Sequence, residues 1–146
     1  MGTILDLREH GGADAYLRDC PSRTVLDVLA DKWTTLIIGA LGAEPRRFGE
    51  LRRRLGGITQ KMLSQSLRSL ERNGLVKRTV YPTVPPRVDY ALTDLGRSVL
   101  TPLETIRVWA ETHIDNIADA RASYDERATH QPEPIEAGRA APSARA

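Results

Sequence analysis

The sequence is short of the residues that much enzyme chemistry and several architectures require. It has one cysteine in 146 residues, which excludes an intrachain disulfide framework and a multi-cysteine metal site. Its three histidines, His10, His113 and His130, are too scattered to suggest a metal centre. Aromatic residues make up only 5% of the chain, so the core must be packed by leucine, isoleucine and valine. No apolar run approaches the ~20 residues needed to span a bilayer. The opening MGTILDLREHGG carries acids and no sustained apolar stretch, unlike a secretory signal. These absences predict a cytosolic protein with no membrane association. There is no Ser/His/Asp or Cys/His arrangement, no Gly-rich phosphate loop and no carboxylate pair in a plausible cleft, so neither an enzyme nor a cofactor is predicted. Asp27 and Asp31 stand one helical turn apart, which surface solvation explains. No internal repeat is present.

What the chain does have is positive charge in one place. Residues 45–90 carry eleven Lys or Arg (Arg46, Arg47, Arg52, Arg53, Arg54, Lys61, Arg68, Arg72, Lys77, Arg78 and Arg87) against Glu50, Glu71 and Asp89. The net charge of the whole chain is only +2, so everything outside that segment is net acidic. Binding to DNA depends on displacing counterions from phosphates, which requires cations gathered on one surface. A solvated charged face usually mixes signs, whereas here the cations outnumber the acids by eight.

At this length a single domain is expected. Residues 1–19 show little periodicity and contain Gly11-Gly12, which reads as a flexible arm. Asp19-Cys20-Pro21-Ser22 opens a first helix, because proline is favoured at a first helical position. Val25, Leu26, Val28 and Leu29 give that helix an apolar face. Trp33–Leu41 reads as a second helix ending at Gly42, with Leu36, Ile37, Ala40 and Leu41 in the core. Arg46-Arg47-Phe48 is expected to be a short extended bridge. Gly49–Leu55 is a third helix, stopped by Gly56-Gly57.

The fourth helix has the sharpest local signals. Thr59 can cap its start and Gly74 can stop its end. Met62, Leu63, Leu67 and Leu70 form the expected buried stripe. The rest of the helix shows Gln60, Lys61, Ser64, Gln65, Arg68 and Arg72 to solvent. Leu75–Tyr81 and Val88–Leu92 are strand-like runs joined by a proline-rich loop that cannot be helical, which makes a hairpin. A last helix starts at Thr93-Asp94. Its stripe of Leu95, Val99, Leu103, Ile106, Ala110, Ile114 and Ile117 continues in phase past Pro102, so the proline should kink the helix without ending it. From about Thr129 the pattern gives way to Pro, Ala, Gly, Arg and Glu, as in a disordered tail. The chain therefore divides into an arm at 1–19, a folded domain at 20–128 and a tail at 129–146. The fold class is mainly α with a small β-hairpin, the order of a winged helix-turn-helix.

In such a fold the second helix of the motif enters the major groove, with its N-terminal residues nearest the bases. That assigns DNA contact to Thr59, Gln60, Lys61, Ser64, Gln65 and Arg68. Gln pairs with adenine, and Lys or Arg with guanine, yet the same side chains also bind phosphates. Arg78 and Arg87 flank the wing and are placed to reach phosphates or a minor groove. Arg52, Arg53 and Arg54 cannot all face one way on a helix.

These residues also carry a resemblance. Cys20-Pro21, Lys32-Trp33, Arg46 through Leu51, Gly57 through Leu63, Leu70 through Val76, Tyr81, Pro85 through Gly96 and Trp109 look like the HxlR-type regulators, in matching order and spacing. The resemblance spans about Cys20 to Trp109. It implies a bacterial transcription factor related to the MarR-like winged helices. It also implies a homodimer built through the first and last helices, with one recognition helix and one wing per subunit. The long Ala/Arg-rich tail departs from that pattern.

Cys20 precedes Pro21 at a helix N-terminus, where partial positive charge favours a thiolate, with Arg18 and Arg23 near in sequence. Several regulators resembling this one sense oxidants or quinone-like electrophiles with a cysteine at the matching place. The alternative is a structural cysteine. A small-molecule effector is a further reading, with Trp33 and Trp109 either lining a pocket or belonging to the core. His113 is expected to be a packed or interface residue. The chain is thus read as a sequence-specific regulator of double-stranded DNA, a repressor rather than an activator. The reading from another class is a winged helix used for protein–protein contact, against which the polar, basic recognition helix argues.

Overall fold

The computed structural model describes residues 13–130. Residues 1–12 of the arm expected at 1–19, and residues 131–146 of the tail expected at 129–146, lie outside the described residues, while Thr129 and His130, expected to open the tail, are still helical. The elements run α1 (Pro21–Leu29), α2 (Lys32–Leu41), β1 (Arg46–Arg47), α3 (Phe48–Arg54), α4 (Gln60–Arg72), β2 (Val76–Tyr81), β3 (Arg87–Leu92) and α5 (Asp94–His130). They form two compact units, one ending at Val108 and the other beginning at Trp109, both points lying within α5. Among the described residues no helix is long and apolar enough to cross a membrane.

In the first unit, caps and stops set the helix boundaries. Pro21 occupies the first position of α1. Asp31 caps α2 by accepting from the Trp33 and Thr34 amides at 2.8 and 3.2 Å. Thr59 Oγ1 accepts from the Met62 amide at 3.1 Å at the start of α4. After α4 the chain turns through Gly74 at φ +73°, a conformation with little penalty for a residue lacking Cβ. Thr93 Oγ1 accepts from the Gly96 amide at 3.0 Å and donates to the Gly74 carbonyl. The first turn of α5 is therefore tied to the turn that ends α4. Gly96 sits so close to the Leu75 carbonyl that any Cβ there would clash with backbone.

The core lies between α2, α3, α4 and the roots of the hairpin. Ile37, Ile38, Leu41, Leu51, Leu63 and Leu70 are fully buried, with Leu67, Leu55, Ile58, Leu75, Val76, Leu92 and Leu103 around them. Two expectations about the core need correcting. Leu36 and Ala40 are only partly buried against this core, whereas Ile38 is at its centre. Met62 is exposed (38%), because it stands one residue, about 100° of helix, off the Leu63–Leu67–Leu70 stripe.

The sheet has three antiparallel strands in the order β1-β3-β2. The hairpin pairs Val76 with Leu92 through to Tyr81 with Arg87. Arg46 and Arg47, expected as a mere bridge, pair with Tyr90 and Asp89 and so form a third strand. Phe48, expected to be extended, already begins α3.

Residues 13–19 form turns held by named bonds. The Leu17 and Cys20 amides donate to Asp14 and Leu17 carbonyls, both at 3.1 Å. The Arg23 guanidinium donates to the carbonyls of Ala15 and Tyr16 at 3.1 and 3.2 Å. Several apolar side chains of the first unit remain uncovered by it: Val25, Leu26, Leu95 and Ile106 are 48–60% exposed. In α5 the helix continues through Pro102, and Leu103 is buried.

The second unit is helix from Trp109 to His130 among the described residues. Its Trp109 is exposed and stacks on His113 with ring centroids 4.7 Å apart, and Ile114 and Tyr124 are also exposed. The two tryptophans thus differ. Trp33 is a core residue with the Lys32 ammonium 4.8 Å from its ring centroid, while Trp109 is not buried.

Candidate nucleic-acid interface

The α3–turn–α4 unit is pinned from inside and free outside. Ile58 is buried at the turn, Gly57 has φ +85°, and Leu63, Leu67 and Leu70 hold the inner face of α4. Residues on the opposite side of that stripe have to point to solvent, given about 100° of rotation per residue. Lys61, Gln65, Arg68 and Arg72 lie there, and all are exposed. Among the described residues none of the three cations makes an ion pair.

The six residues expected on this helix do not form one patch. Gln60 and Ser64 turn toward the wing, where they line a cleft of about 430 Å³ with Arg68, Arg78, Phe48, Leu67 and Tyr90. Gln65 lies at the other edge of α4. It lines a shallow cleft of about 380 Å³ with Ser66, Ser69 and residues of the α1–α2 region, including Asp27, Asp31 and Thr34. Lys61 stands between these two edges, and Thr59 is engaged in capping. Phe48 and Tyr90 were missed by sequence reasoning. The strand-to-strand pairing that brings them beside α4 has no local sequence signal.

In the wing, Arg78 and Arg87 have different surroundings. Arg78 faces the cleft beside α4. Arg87 donates through Nε and Nη2 to both carboxylate oxygens of Asp89, at 3.0 and 2.8 Å. Its guanidinium also lies 5.1 Å from the centroid of the Tyr81 ring. The hydrogen bonds from Arg87 hold the Asp89 carboxyl below its ordinary range, opposed by burial and aided by the charges of Arg87 and Arg47. The same pairing raises the Arg87 pKa. Asp89 is one of the three acids within the basic segment, and alternation along the strand puts residues 87 and 89 on one face. Arg52, Arg53 and Arg54 are all exposed at the end of α3.

Cys20 lies at the N-cap of α1 and is half-buried. Its Sγ accepts from the Asp14 amide at 3.2 Å and lies 3.0 Å from Ser22 Oγ. Its pKa is lowered, first by the Ser22 hydroxyl and then by the Ser22 backbone, while burial opposes. Of the two arginines near it in sequence, Arg23 is bonded to the Ala15 and Tyr16 carbonyls, and neither Arg18 nor Arg23 is among the causes of the shift.

Comparison with known proteins agrees with this geometry. Residues 28–118 match the model of the HxlR-like helix-turn-helix family. The uncharacterised HTH-type transcriptional regulator YtfH of Escherichia coli (strain K12) is 42% identical over 113 residues, covering 77% of this chain and 87% of that protein. The solved structure of the transcriptional regulator ytfH from Salmonella typhimurium superposes with a TM-score of 0.71 at 39% identity, over 75% of this chain and 98% of that one. The redox regulator HypR in its oxidized form gives a TM-score of 0.60 at 40% identity, over 64% and 96% of the two chains. In its reduced form it gives 0.63 at 37%, over 68% and 98%. With the family match covering more than half of its length, the chain belongs to the HxlR-like helix-turn-helix transcriptional regulators.

Proposed function

We propose that this regulator binds double-stranded DNA sequence-specifically as a homodimer and acts as a repressor rather than an activator. The observation that carries the reading is the outer face of α4, where Lys61, Gln65 and Arg68 are exposed with no ion pair among the described residues. Gln60 and Ser64 lie on the wing side of the same helix. Side chains of these types at the start of a recognition helix suit base-edge contacts. Arg78 on the wing suits a phosphate. Repression follows from occupancy alone: a dimer seated across a promoter blocks access without a further contact surface. The exposed apolar side chains of α1, Val25 and Leu26, and those of the second unit, Trp109, Ile114 and Tyr124, support a dimer. A two-fold dimer reads a palindrome with half-sites about one helical turn, ~10 bp, or slightly more apart. Footprinting on the gene's upstream DNA, combined with sedimentation, tests this. A monomer at micromolar concentration with a non-palindromic footprint would overturn it.

We infer that the regulatory input is an oxidant or electrophile acting at Cys20, with a small-molecule effector as the alternative. Two observations support it. The Cys20 thiol is shifted toward thiolate by Ser22, and HypR, similar over two thirds of this chain, is named a redox regulator. With a single cysteine per chain, the products open to it are an intersubunit disulfide, a mixed disulfide or an adduct. A gel-shift series with diamide on wild type and Cys20→Ser decides the matter. Release of DNA by wild type alone supports Cys20. Equal responses place the input elsewhere.

A further inference from the structure

Among the described residues, Arg87 is the one wing cation already fixed by hydrogen bonds before DNA arrives. Two of its five N–H groups go to Asp89, and the Tyr81 ring, from its cross-strand partner, lies against the guanidinium. Asp89 is itself held firmly. It is 9% exposed, sits on the central strand and is in register with Arg47 on β1 and Thr79 on β2. The fork uses Nε–H and one N–H of Nη2, which leaves three N–H groups, two of them on Nη1. Arg87 remains 47% exposed along its side chain, so those donors stay reachable. An unbonded arginine must give up its rotamer freedom when it grips a phosphate, whereas Arg87 has already lost much of it in the free protein.

We propose that Asp89 is a positioning residue for DNA binding, holding Arg87 in a fixed pose from which its remaining N–H groups take a phosphate. This rests on the reading of the wing as a DNA-binding element. It assigns a carboxylate on the binding face a favourable role, although its charge by itself repels the phosphates. The two contributions have opposite signs, which makes the assignment open to test. Lysine cannot replace Arg87 in this role, because an ammonium lacks the planar fork that engages both carboxylate oxygens and a phosphate together.

The experiment is a fluorescence titration of the full chain with a labelled random duplex and with the upstream fragment, at several salt concentrations. Arg87→Ala is expected to weaken binding to both DNAs and to lower the slope of log K on log salt by about one unit. Asp89→Asn should weaken both by roughly five- to tenfold, despite removing a negative charge, and Arg87→Lys should do the same despite keeping the positive one. In the Arg87→Ala background, Asp89→Asn should give no further loss. Tighter binding by Asp89→Asn would show that the acid only repels and would overturn the proposal. An equal loss in both backgrounds would overturn it too, by showing that Asp89 merely supports the fold. If Asp89→Asn does not fold, Arg87→Lys decides, since it alters an exposed side chain, and wild-type affinity from it would overturn the proposal. Absence of DNA binding by the wild type at low salt would remove the functional reading and this assignment together. Binding by the wild type with all these variants silent would remove only the assignment.

Discussion

The recognition helix and the wing carry the same sign of charge but present it differently. On α4 the cations and amides stand free on the outside of a helix whose inside is locked by Leu63, Leu67 and Leu70. On the wing, Arg87 is tied down by Asp89 and Tyr81 on a hairpin whose tip is exposed from Pro82 to Pro86. A rigid backbone carries adaptable side chains in one case, and in the other a fixed side chain compensates for an exposed loop. Base edges are told apart by the donor and acceptor pairs that amide and cationic side chains offer them, while a phosphate contact positions the protein without reading sequence. On the DNA-binding function proposed above, the difference fits a division of labour in which α4 discriminates and the wing anchors.

The strongest way to break the comparison is to loosen the inside of α4. Leu67→Ala, which leaves a hole against a side chain only 2% exposed, should destabilise the fold by about 2–5 kcal/mol. Denaturant unfolding measures it, and a change below about 1 kcal/mol would mean that α4 is not anchored as described. Next in size, Lys61→Ala or Gln65→Ala should weaken binding to the upstream site by about 1–3 kcal/mol and to random duplex much less. Equal losses on both would make these phosphate contacts and erase the distinction from the wing. Thr59→Ala removes the cap of α4 and should lower stability by about 1 kcal/mol, read as a small drop in melting temperature with the fold intact.

The smallest effect concerns acid. The folded pKa of Asp89 lies below the ordinary carboxylate value of 3.8, so the unfolded chain takes up the proton first as pH falls. The stabilisation from the Arg87–Asp89 pair is therefore fully present above that value and is lost as pH drops through the lower, folded one. The charges acting on Asp89 are those of Arg87 on its own strand and Arg47 on β1. Wing resonances followed by NMR should stay unchanged from neutral pH down to the carboxylate range. A carboxyl midpoint at or above the ordinary value would show that the pair does not form in solution.

Much of this was legible in the sequence because helix ends and hairpins announce themselves locally. Pro21, Thr59, Gly74 and Thr93 each fix a boundary by a requirement of the backbone at that very position. The apolar stripe of α4 was equally plain, apart from Met62, whose chemistry suited the core and whose angle did not. In α2 almost every residue is apolar or small, so periodicity could not separate Ile38 from Leu36. The split of the recognition residues between two edges of α4 depends on what packs beside the helix. That in turn depends on pairings between distant segments. The Arg87–Asp89 fork was within reach, since two-residue spacing on a strand is a local signal, but cations counted for a binding surface are easily assumed to be free. For Cys20 the direction of the shift was readable from its place at a helix start, while its cause, Ser22 rather than an arginine, depended on where Arg23 turned.

The two-residue strand β1 has a bearing on the order of events in folding. Arg46 and Arg47 pair with Tyr90 and Asp89, positions that flank the whole of α3, α4 and β2 in sequence. Closing so long a loop for so short a ladder is unfavourable while the intervening chain is still flexible. The pairing becomes favourable only after the helices and the hairpin have shortened the path between its ends. β1 should therefore add last as the chain folds and release first when it opens. Its edge amides then serve as a clock: in native-state hydrogen exchange, they should exchange before those of the β2–β3 hairpin, while the rest of the unit is still intact.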